Sequence, residues 1–126
     1  MKLQYEDLLG ISFKYNGRTK DEGYDCWGLC FEIYRRLGRV LPDFNSTSEA
    51  EQINAMIQNA KPLFEEIKNP IPYCLVTFTI RPPYVSHIGV VLKDCQTFIH
   101  IMQKTSVSVE KLEDWKRRIK GYYVIR

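Results

Sequence analysis

The clearest hydrophobic pattern in the chain is helical and runs from Asp25 to Leu37. Its apolar residues fall at 26, 29, 30, 33, 34 and 37, which is the 3.6-residue period of an amphipathic helix. Asp25 stands in the position of an N-cap, and Gly38 follows the run as a helix stop. Cys26 is therefore predicted to lie in the first turn of this helix.

Weaker helical signals flank this segment. Residues 2–9 are a candidate for a short amphipathic helix, whereas 10–24 are polar and interrupted by glycines, which predicts a loop. Farther along, Ser48-x-x-Glu51 has the spacing of a capping box. It predicts a second helix that runs to about Ala60.

The second half of the chain has the alternating, β-branched runs that are typical of strands. These runs predict strands at 73–80, 86–92, 97–102, 105–109 and 119–125. Glu110–Arg118 is predicted to be a short helix. Helices followed by an antiparallel sheet indicate an α+β fold. The lack of a repeat or a long linker predicts a single domain over 1–126.

Residues 86–92 and 97–102 flank a short polar segment and predict a hairpin that carries both histidines of the chain. If 94 and 95 form the turn, opposed positions sum to 189, so His87 faces Met102 and His100 faces Gly89. The two imidazoles are then diagonal neighbours on one face of the sheet. A slip of one residue would place them on opposite faces.

Cys26 is the sharpest chemical feature of the sequence. Unpaired N–H groups and the helix dipole at a first turn favour a thiolate, which is the nucleophilic form of cysteine. Asp25 would oppose that charge unless its carboxylate caps the N–H of Gly28. The alternative interpretation is a small core residue on the apolar stripe of the helix, which is also the interpretation favoured for Cys30. Cys74 has the pattern of a buried strand residue, and Cys95 falls in the predicted hairpin turn.

A cysteine at a helix start and a histidine on a strand form the arrangement that acyl-transfer enzymes use. In it, His87 would act as general base and His100 would orient the ring of His87. The N–H groups of the first helical turn are candidates for an oxyanion site. Trp27 can be interpreted either as a core residue or as the wall of a ligand groove.

Composition removes several other classes of function. The chain has 126 residues, and 18 Lys and Arg against 15 Asp and Glu give a net charge of +3, a mild basic surplus that does not predict nucleic-acid binding. No apolar run approaches the length of about 20 residues that a membrane span requires. Lys2, Glu6 and Asp7 argue against a signal peptide, so we expect cytoplasmic synthesis and reduced thiols. The two histidines are too far apart for a zinc-finger spacing, and no metal or cofactor is expected.

Three motifs together resemble the NlpC-type, papain-like cysteine peptidases of bacterial cell walls. They are Tyr24-Asp25-Cys26-Trp27-Gly28-Leu29, Ser86-His87-Ile88-Gly89-Val90-Val91-Leu92 and Phe98-Ile99-His100. A Leu41-Pro42 turn and the segment from Trp115 to Tyr122 are similar to the branch found in phage tail-assembly proteins.

The resemblance implies a papain-like fold and an endopeptidase that cuts the γ-D-glutamyl to diamino-acid amide, or a related stem-peptide bond, in peptidoglycan. It makes Cys26 the nucleophile, His87 the base and His100 the third polar member. Where relatives carry an upstream tyrosine this chain has Phe13, with Tyr15 two places on. The residues expected around the centre are Asp25, Trp27, Tyr15 and Ser86.

Lys14 and Arg18 are candidates for binding the carboxylates of stem peptides, with an exposed solvated loop as the alternative. A phage tail or another delivery partner would then bring the enzyme to the cell wall. Two other functions stay open because a fold does not settle a substrate. One is an inactive tail-assembly or scaffold module, and the other is an amidase or transacylase that acts on a non-murein acyl group.

Overall fold

A six-stranded antiparallel sheet and an α-helix packed on it organise the part of the protein that the structure describes. The computed structural model describes residues 3–43, 54, 57–59, 61–80 and 85–125. Within them lie strands β1 (Arg18–Thr19), β2 (Gly23–Tyr24), β3 (Phe64–Ile67), β4 (Leu75–Phe78), β5 (His87–Val91), β6 (Thr97–His100), β7 (Ser108–Lys111) and β8 (Ile119–Ile125), and helix α1 (Cys26–Arg36). The large sheet has the order β3-β8-β4-β5-β6-β7, and β1 and β2 pair separately. The α+β prediction is confirmed.

Helix α1 begins and ends where the apolar pattern predicts. Asp25 is its N-cap, and the Asp25 side chain accepts a hydrogen bond from the backbone N–H of Gly28. Gly38 adopts a left-handed φ of 80° just beyond the helix, a conformation that glycine tolerates better than other residues. One face of the helix packs on β5 and is fully buried, including Trp27, Cys30 and Ile33.

The hairpin of β5 and β6 has the predicted register. Val90 pairs with Ile99 and Val91 with Phe98, so opposed positions sum to 189. The turn includes Cys95, whose φ is 58°. Since register decides which face a side chain occupies, this pairing determines where the two histidines lie.

Two apolar clusters cover the two faces of the sheet. The larger contains the buried face of α1 together with Ile88 and Val90 of β5. The smaller contains Phe78 and Phe98, with Trp115 packed against it. The sheet therefore lies between helix α1 and this second cluster.

Several predicted elements differ from the observed ones. The strand β3 is missing from the sequence prediction, and the predicted strand at 105–109 is displaced to β7. The helix predicted at Glu110–Arg118 is wrong. Glu110 belongs to β7 and pairs with Phe98 of β6, and only Leu112–Trp115 forms a 3₁₀ turn. Competition from β6 for backbone hydrogen bonds overrides the local helical pattern.

The amino-terminal region also departs from its prediction. The helix expected at 2–9 is reduced to a 3₁₀ turn at Glu6–Leu8. The expected loop at 10–24 contains the β1–β2 pair. Ser48 and Glu51 lie outside the described residues, although 57–59 are helical, as expected for the second helix. None of the helices in the described part of the chain is long and apolar enough to cross a membrane.

Candidate active site

The two histidines are joined directly. His87 at the start of β5 and His100 at the end of β6 are each 3% exposed, and Nε2 of His87 lies 2.9 Å from Nδ1 of His100. Gly89 makes this approach possible, because a Cβ there would lie 3.2 Å from the Cβ of His100. The predicted adjacency of the imidazoles is confirmed.

A carboxylate extends this pair on its far side. Nε2 of His100 is hydrogen-bonded to Oε2 of Glu110 on β7. Glu110 pairs with Phe98, two positions before His100, so its side chain is diagonal to His100 on the same face. The sequence prediction missed this residue because it placed Glu110 in a helix, whereas extending the strand pattern to 110 would have found it.

Aromatic rings enclose the histidine pair. Phe78 packs on the ring of His87 at 5.2 Å between centroids, Phe98 packs on His100 at 4.5 Å, and Trp115 meets His100 edge-on at 5.2 Å. No local pattern predicts the contact with Trp115, which is 15 residues beyond His100 in the chain. The pair therefore titrates in an apolar environment.

Burial in these surroundings, together with the charge of His100, lowers the pKa of His87 to about 3. The pKa of His100 is also lowered, chiefly by burial, while the hydrogen bond and charge of Glu110 act in the opposite direction. Desolvation disfavours the charged form of an imidazole. Both histidines are consequently neutral at neutral pH.

Cys26 occupies the first position of α1 but is only 6% exposed. Burial, and to a smaller extent the charge of Asp25, raises the pKa of its thiol to about 12. Backbone N–H groups of Ile88, Trp27 and Cys26 itself act in the opposite direction and are outweighed. The expectation of a thiolate primed by the helix end is wrong for this conformation, because desolvation exceeds the effect of the helix terminus.

The thiol of Cys26 contacts the backbone N–H of Ile88, the residue that follows His87 in β5. Within the described residues, no hydrogen bond joins the Cys26 sulfur to either imidazole. Nε2 of His87 is engaged by His100, so Nδ1 is the ring nitrogen that remains for the thiol. Catalytic hydrogen bonds that are long in a free enzyme commonly tighten when substrate binds.

Asp25 positions the start of α1. Its Oδ1 accepts hydrogen bonds from the N–H of Gly28 at 2.7 Å and from Nη1 of Arg18 at 2.9 Å, and its Oδ2 accepts from the N–H of Asn16 at 2.8 Å. Arg18 also contacts Asp43 through Nε at 2.8 Å. Arg18 is thus committed to two carboxylates within the protein, and its predicted role in binding substrate is not supported.

The other predicted site residues are distributed more widely. Trp27 is fully buried, donates its indole N–H to the carbonyl of Pro42 and packs on Phe64, so it is a core residue and not a groove wall. Lys14 is exposed. Ser86 is half-buried, and its backbone N–H donates to the carbonyl of Phe78.

Tyr15 differs from these residues because its hydroxyl is unsatisfied. The ring packs edge-on against Phe13, and the hydroxyl oxygen is buried without a hydrogen-bond partner among the described residues. Buried hydroxyls normally find a partner. This oxygen is therefore a donor available for another group.

Of the remaining cysteines, Cys30 and Cys74 match their predictions as packing residues, and Cys95 lies in the predicted turn. Cys30 and Cys74 are buried, and Cys95 is half-buried in the hairpin turn. All four thiols are unpaired in the structure. Across the residues that the structure describes, no three His, Cys, Asp or Glu side chains are grouped as metal ligands.

The structure thus combines an antiparallel sheet that carries a hydrogen-bonded histidine pair with a cysteine at the start of the helix packed on that sheet. A model of the NlpC/P60 family matches residues 10–124, which is almost the whole chain. The chain therefore belongs to the NlpC/P60 family, and the resemblance in its three motifs is confirmed. Proteins of this family are in general cysteine peptidases or hydrolases that act on peptidoglycan.

Solved structures support the same fold. An NLP/P60-family protein of Staphylococcus aureus, described as similar to a lipoprotein, aligns with 94% of this chain at 19% identity and a TM-score of 0.66. An NlpC/P60 family protein of Bacillus cereus aligns with 91% at 18% identity and a TM-score of 0.58. The aligned parts are 37% and 35% of those two chains, so this chain spans little more than a third of their length. A search of curated proteins finds no match.

Proposed function

We propose that this protein is a cysteine hydrolase that cleaves amide bonds in peptidoglycan stem peptides, of the γ-D-glutamyl–diamino acid endopeptidase type. The observation that carries the proposal is the hydrogen-bonded pair of His87 and His100, placed one residue from the backbone group that contacts the thiol of Cys26. Membership of the NlpC/P60 family supports the substrate class.

In the proposed reaction, Sγ of Cys26 attacks the amide carbonyl while Nδ1 of His87 takes the thiol proton. The carbonyl oxygen becomes an oxyanion, for which the N–H groups at the start of α1 are candidate donors. His87 then gives its proton to the leaving amine as the carbon–nitrogen bond breaks, which leaves a thioester on Cys26. His87 next takes a proton from water, whose oxygen attacks the thioester, and returns this proton to Sγ as the carbon–sulfur bond breaks, which releases the free carboxylic acid and restores the thiol.

The pKa values favour proton transfer during attack over a preformed ion pair. At neutral pH the thiol holds its proton because burial raises its pKa, and His87 is unprotonated because burial lowers its pKa. A neutral imidazole is the form that accepts a proton. Charge would then develop only as the substrate carbonyl is attacked.

Tyr15 is proposed as an additional donor for this site. Tyr15 lies in the segment that leads into α1. Its hydroxyl is buried and has no hydrogen-bond partner among the described residues, and the contact with Phe13 holds its ring in place. An oxyanion or a substrate carboxylate would satisfy this hydroxyl. Lys14, which is exposed, would meet a carboxylate at the rim.

The direct test is digestion of defined muropeptides, followed by mass spectrometry of the products. Wild-type protein should release fragments cut at the γ-D-glutamyl amide, and Cys26→Ala should release none. Cys95→Ala is the matched control, because it removes a half-buried thiol in the turn of the β5–β6 hairpin, at the opposite end of the hairpin from the histidines. Equal cleavage by wild type and Cys26→Ala would refute the assignment of the nucleophile.

One observation favours a second candidate, an inactive tail-assembly or scaffold module. It is the burial of Cys26, which has a neutral thiol and no hydrogen bond to His87 among the described residues. Absence of cleavage by wild type, with intact folding, would support this function. A tail-associated setting or another delivery partner is a further proposal that rests on the Trp115–Tyr122 motif.

A further inference from the structure

We propose that Glu110 is a positioning residue that sets the tautomers of both histidines, so that the unprotonated nitrogen of His87 is Nδ1. The inference deepens the proposed function and rests on it for its catalytic consequence. It starts from two contacts in a row, Glu110 to Nε2 of His100 and Nδ1 of His100 to Nε2 of His87.

The first contact determines the tautomer of His100. An ionised carboxylate only accepts hydrogen bonds, so Nε2 of His100 must carry the proton that it donates to Oε2 of Glu110. A neutral imidazole has one N–H and one acceptor nitrogen. Nδ1 of His100 is therefore the acceptor.

The second contact passes this assignment to His87. Because Nδ1 of His100 accepts, Nε2 of His87 must carry the proton in the 2.9 Å hydrogen bond between the rings. Nδ1 of His87 is then unprotonated. This is the nitrogen left over for the thiol, and the tautomer that a general base requires.

Removing Glu110 would leave this order undetermined. With no carboxylate on Nε2, His100 could instead place its proton on Nδ1 and donate to Nε2 of His87, which would put the proton of His87 on Nδ1. That tautomer cannot accept the proton of Cys26. The rings that contact the pair, Phe78, Phe98 and Trp115, are not hydrogen-bond acceptors comparable to a carboxylate and would not prevent the switch.

Glu110 is positioned to set the tautomer of His87 through His100, without contact with the reacting atoms. Its side chain is 40% exposed, whereas the His100 side chain is 4% exposed. It sits on β7, on the opposite side of His100 from His87. Its effect must therefore pass through both rings, in the way that a third group orients a catalytic histidine.

The test is nitrogen NMR of protein labelled with ¹⁵N-histidine at pH 7.5. The chain has two histidines, so only two imidazoles contribute. We expect wild type to show both rings with a protonated Nε2 and a bare Nδ1. In Glu110→Ala, the nitrogen shifts of both rings should move toward a mixture of tautomers, and Glu110→Gln, which keeps an amide oxygen as acceptor, should move less.

Glu113→Ala is the matched control, because it removes the same charge from an exposed side chain three residues away. It should leave the nitrogen shifts unchanged. In hydrolysis assays, Glu110→Ala should lower kcat by about tenfold to a hundredfold with KM unchanged, and Glu110→Gln should recover part of the loss.

Two results would overturn the inference. One is a wild-type His100 that carries its proton on Nδ1, a measurement that does not depend on whether any variant folds. The other is an unchanged pair of tautomers in folded Glu110→Ala. If the shifts respond as expected but wild type cleaves no muropeptide, the tautomer assignment is supported and the proposed hydrolase function is refuted.

Discussion

Nε2 of His87 is hydrogen-bonded to Nδ1 of His100 across 13 positions of sequence, inside a pocket of aromatic rings. The pair is held by the register of the β5–β6 hairpin and is almost fully shielded from water. Shielding that keeps both rings neutral also links the stability of the protein to pH.

The first prediction is a loss of stability on mild acidification. In the unfolded chain a histidine binds a proton near pH 6.5, whereas the lowered pKa values of His87 and His100 keep both rings neutral in the folded chain. The unfolded state then binds more protons, so the free energy of unfolding should fall as pH decreases from about 6.5. For His87 the fall should continue to about pH 3. Its slope is at most about 1.4 kcal/mol per pH unit for each histidine.

Urea unfolding at pH 7 and pH 5 measures this slope before most carboxylates titrate. His87→Gln should be less stable at pH 7 but should show a shallower dependence over the same interval, because one buried ring no longer titrates. An identical slope in wild type and His87→Gln would contradict the assignment to this ring.

The second prediction concerns the reactivity of Cys26. Because burial raises its pKa to about 12, alkylation by iodoacetamide should be slow at pH 7 and should accelerate with rising pH. Cys95, which is half-buried in a turn, should react earlier. Peptide mapping of the modified sites distinguishes the two thiols. Faster labelling of Cys26 than of Cys95 at mildly acidic pH would contradict the raised pKa of Cys26.

The third prediction is that Gly89→Ala separates the histidines. A Cβ at Gly89 would lie 2.9 Å from the carbonyl oxygen of Ile99 and 3.2 Å from the Cβ of His100, so β6 must move. We expect a loss of stability of about 1–3 kcal/mol and a marked drop in muropeptide cleavage.

Gly121→Ala provides the comparison in another strand. Its Cβ would first meet the carboxylate of Glu66 at 3.1 Å and the ring of Tyr123 at 3.3 Å, and the Glu66 side chain can move. Cleavage should be retained in this variant. Equal effects of the two substitutions on cleavage would show that crowding at Gly89 does not act through the histidines.

The fourth prediction concerns Asp25 as the anchor of α1. Asp25→Ala removes the acceptor for Gly28 and Asn16 and leaves the guanidinium of Arg18 without its buried partner. A loss of about 2–4 kcal/mol in the free energy of unfolding is expected. Asp43→Ala, which removes the exposed partner of Arg18, should cost less than about 1 kcal/mol. Thermal or urea unfolding measures the stability of both variants. Similar losses in the free energy of unfolding for Asp25→Ala and Asp43→Ala would contradict the role of Asp25 as the anchor of α1.

The features that could be predicted from sequence depend on local spacing. The apolar period and the flanking Asp25 and Gly38 locate α1, and one turn position is sufficient to pair His87 with His100. In both cases the information lies within about 20 residues. The NlpC/P60 family could also be identified, because its motifs are short and contiguous.

The features that were missed depend on distant partners. Strand β3 is four residues long with two exposed glutamates, and its partner β8 lies more than 50 residues away. Glu110 has helical neighbours in sequence but pairs with β6. The ionisation of Cys26 follows from how deeply it is buried, a quantity that the first-turn position does not contain.

Strand β8 is the last strand along the chain, yet it lies between β3 and β4 in the sheet. During translation, β3 has no neighbour in the sheet until the ribosome has released residues 119–125. The nascent protein must therefore hold an incomplete sheet with open hydrogen-bonding edges until this strand is inserted, a stage at which such edges are prone to aggregate. The strand order thus delays closure of the sheet between β3 and β4 until β8 has been synthesised.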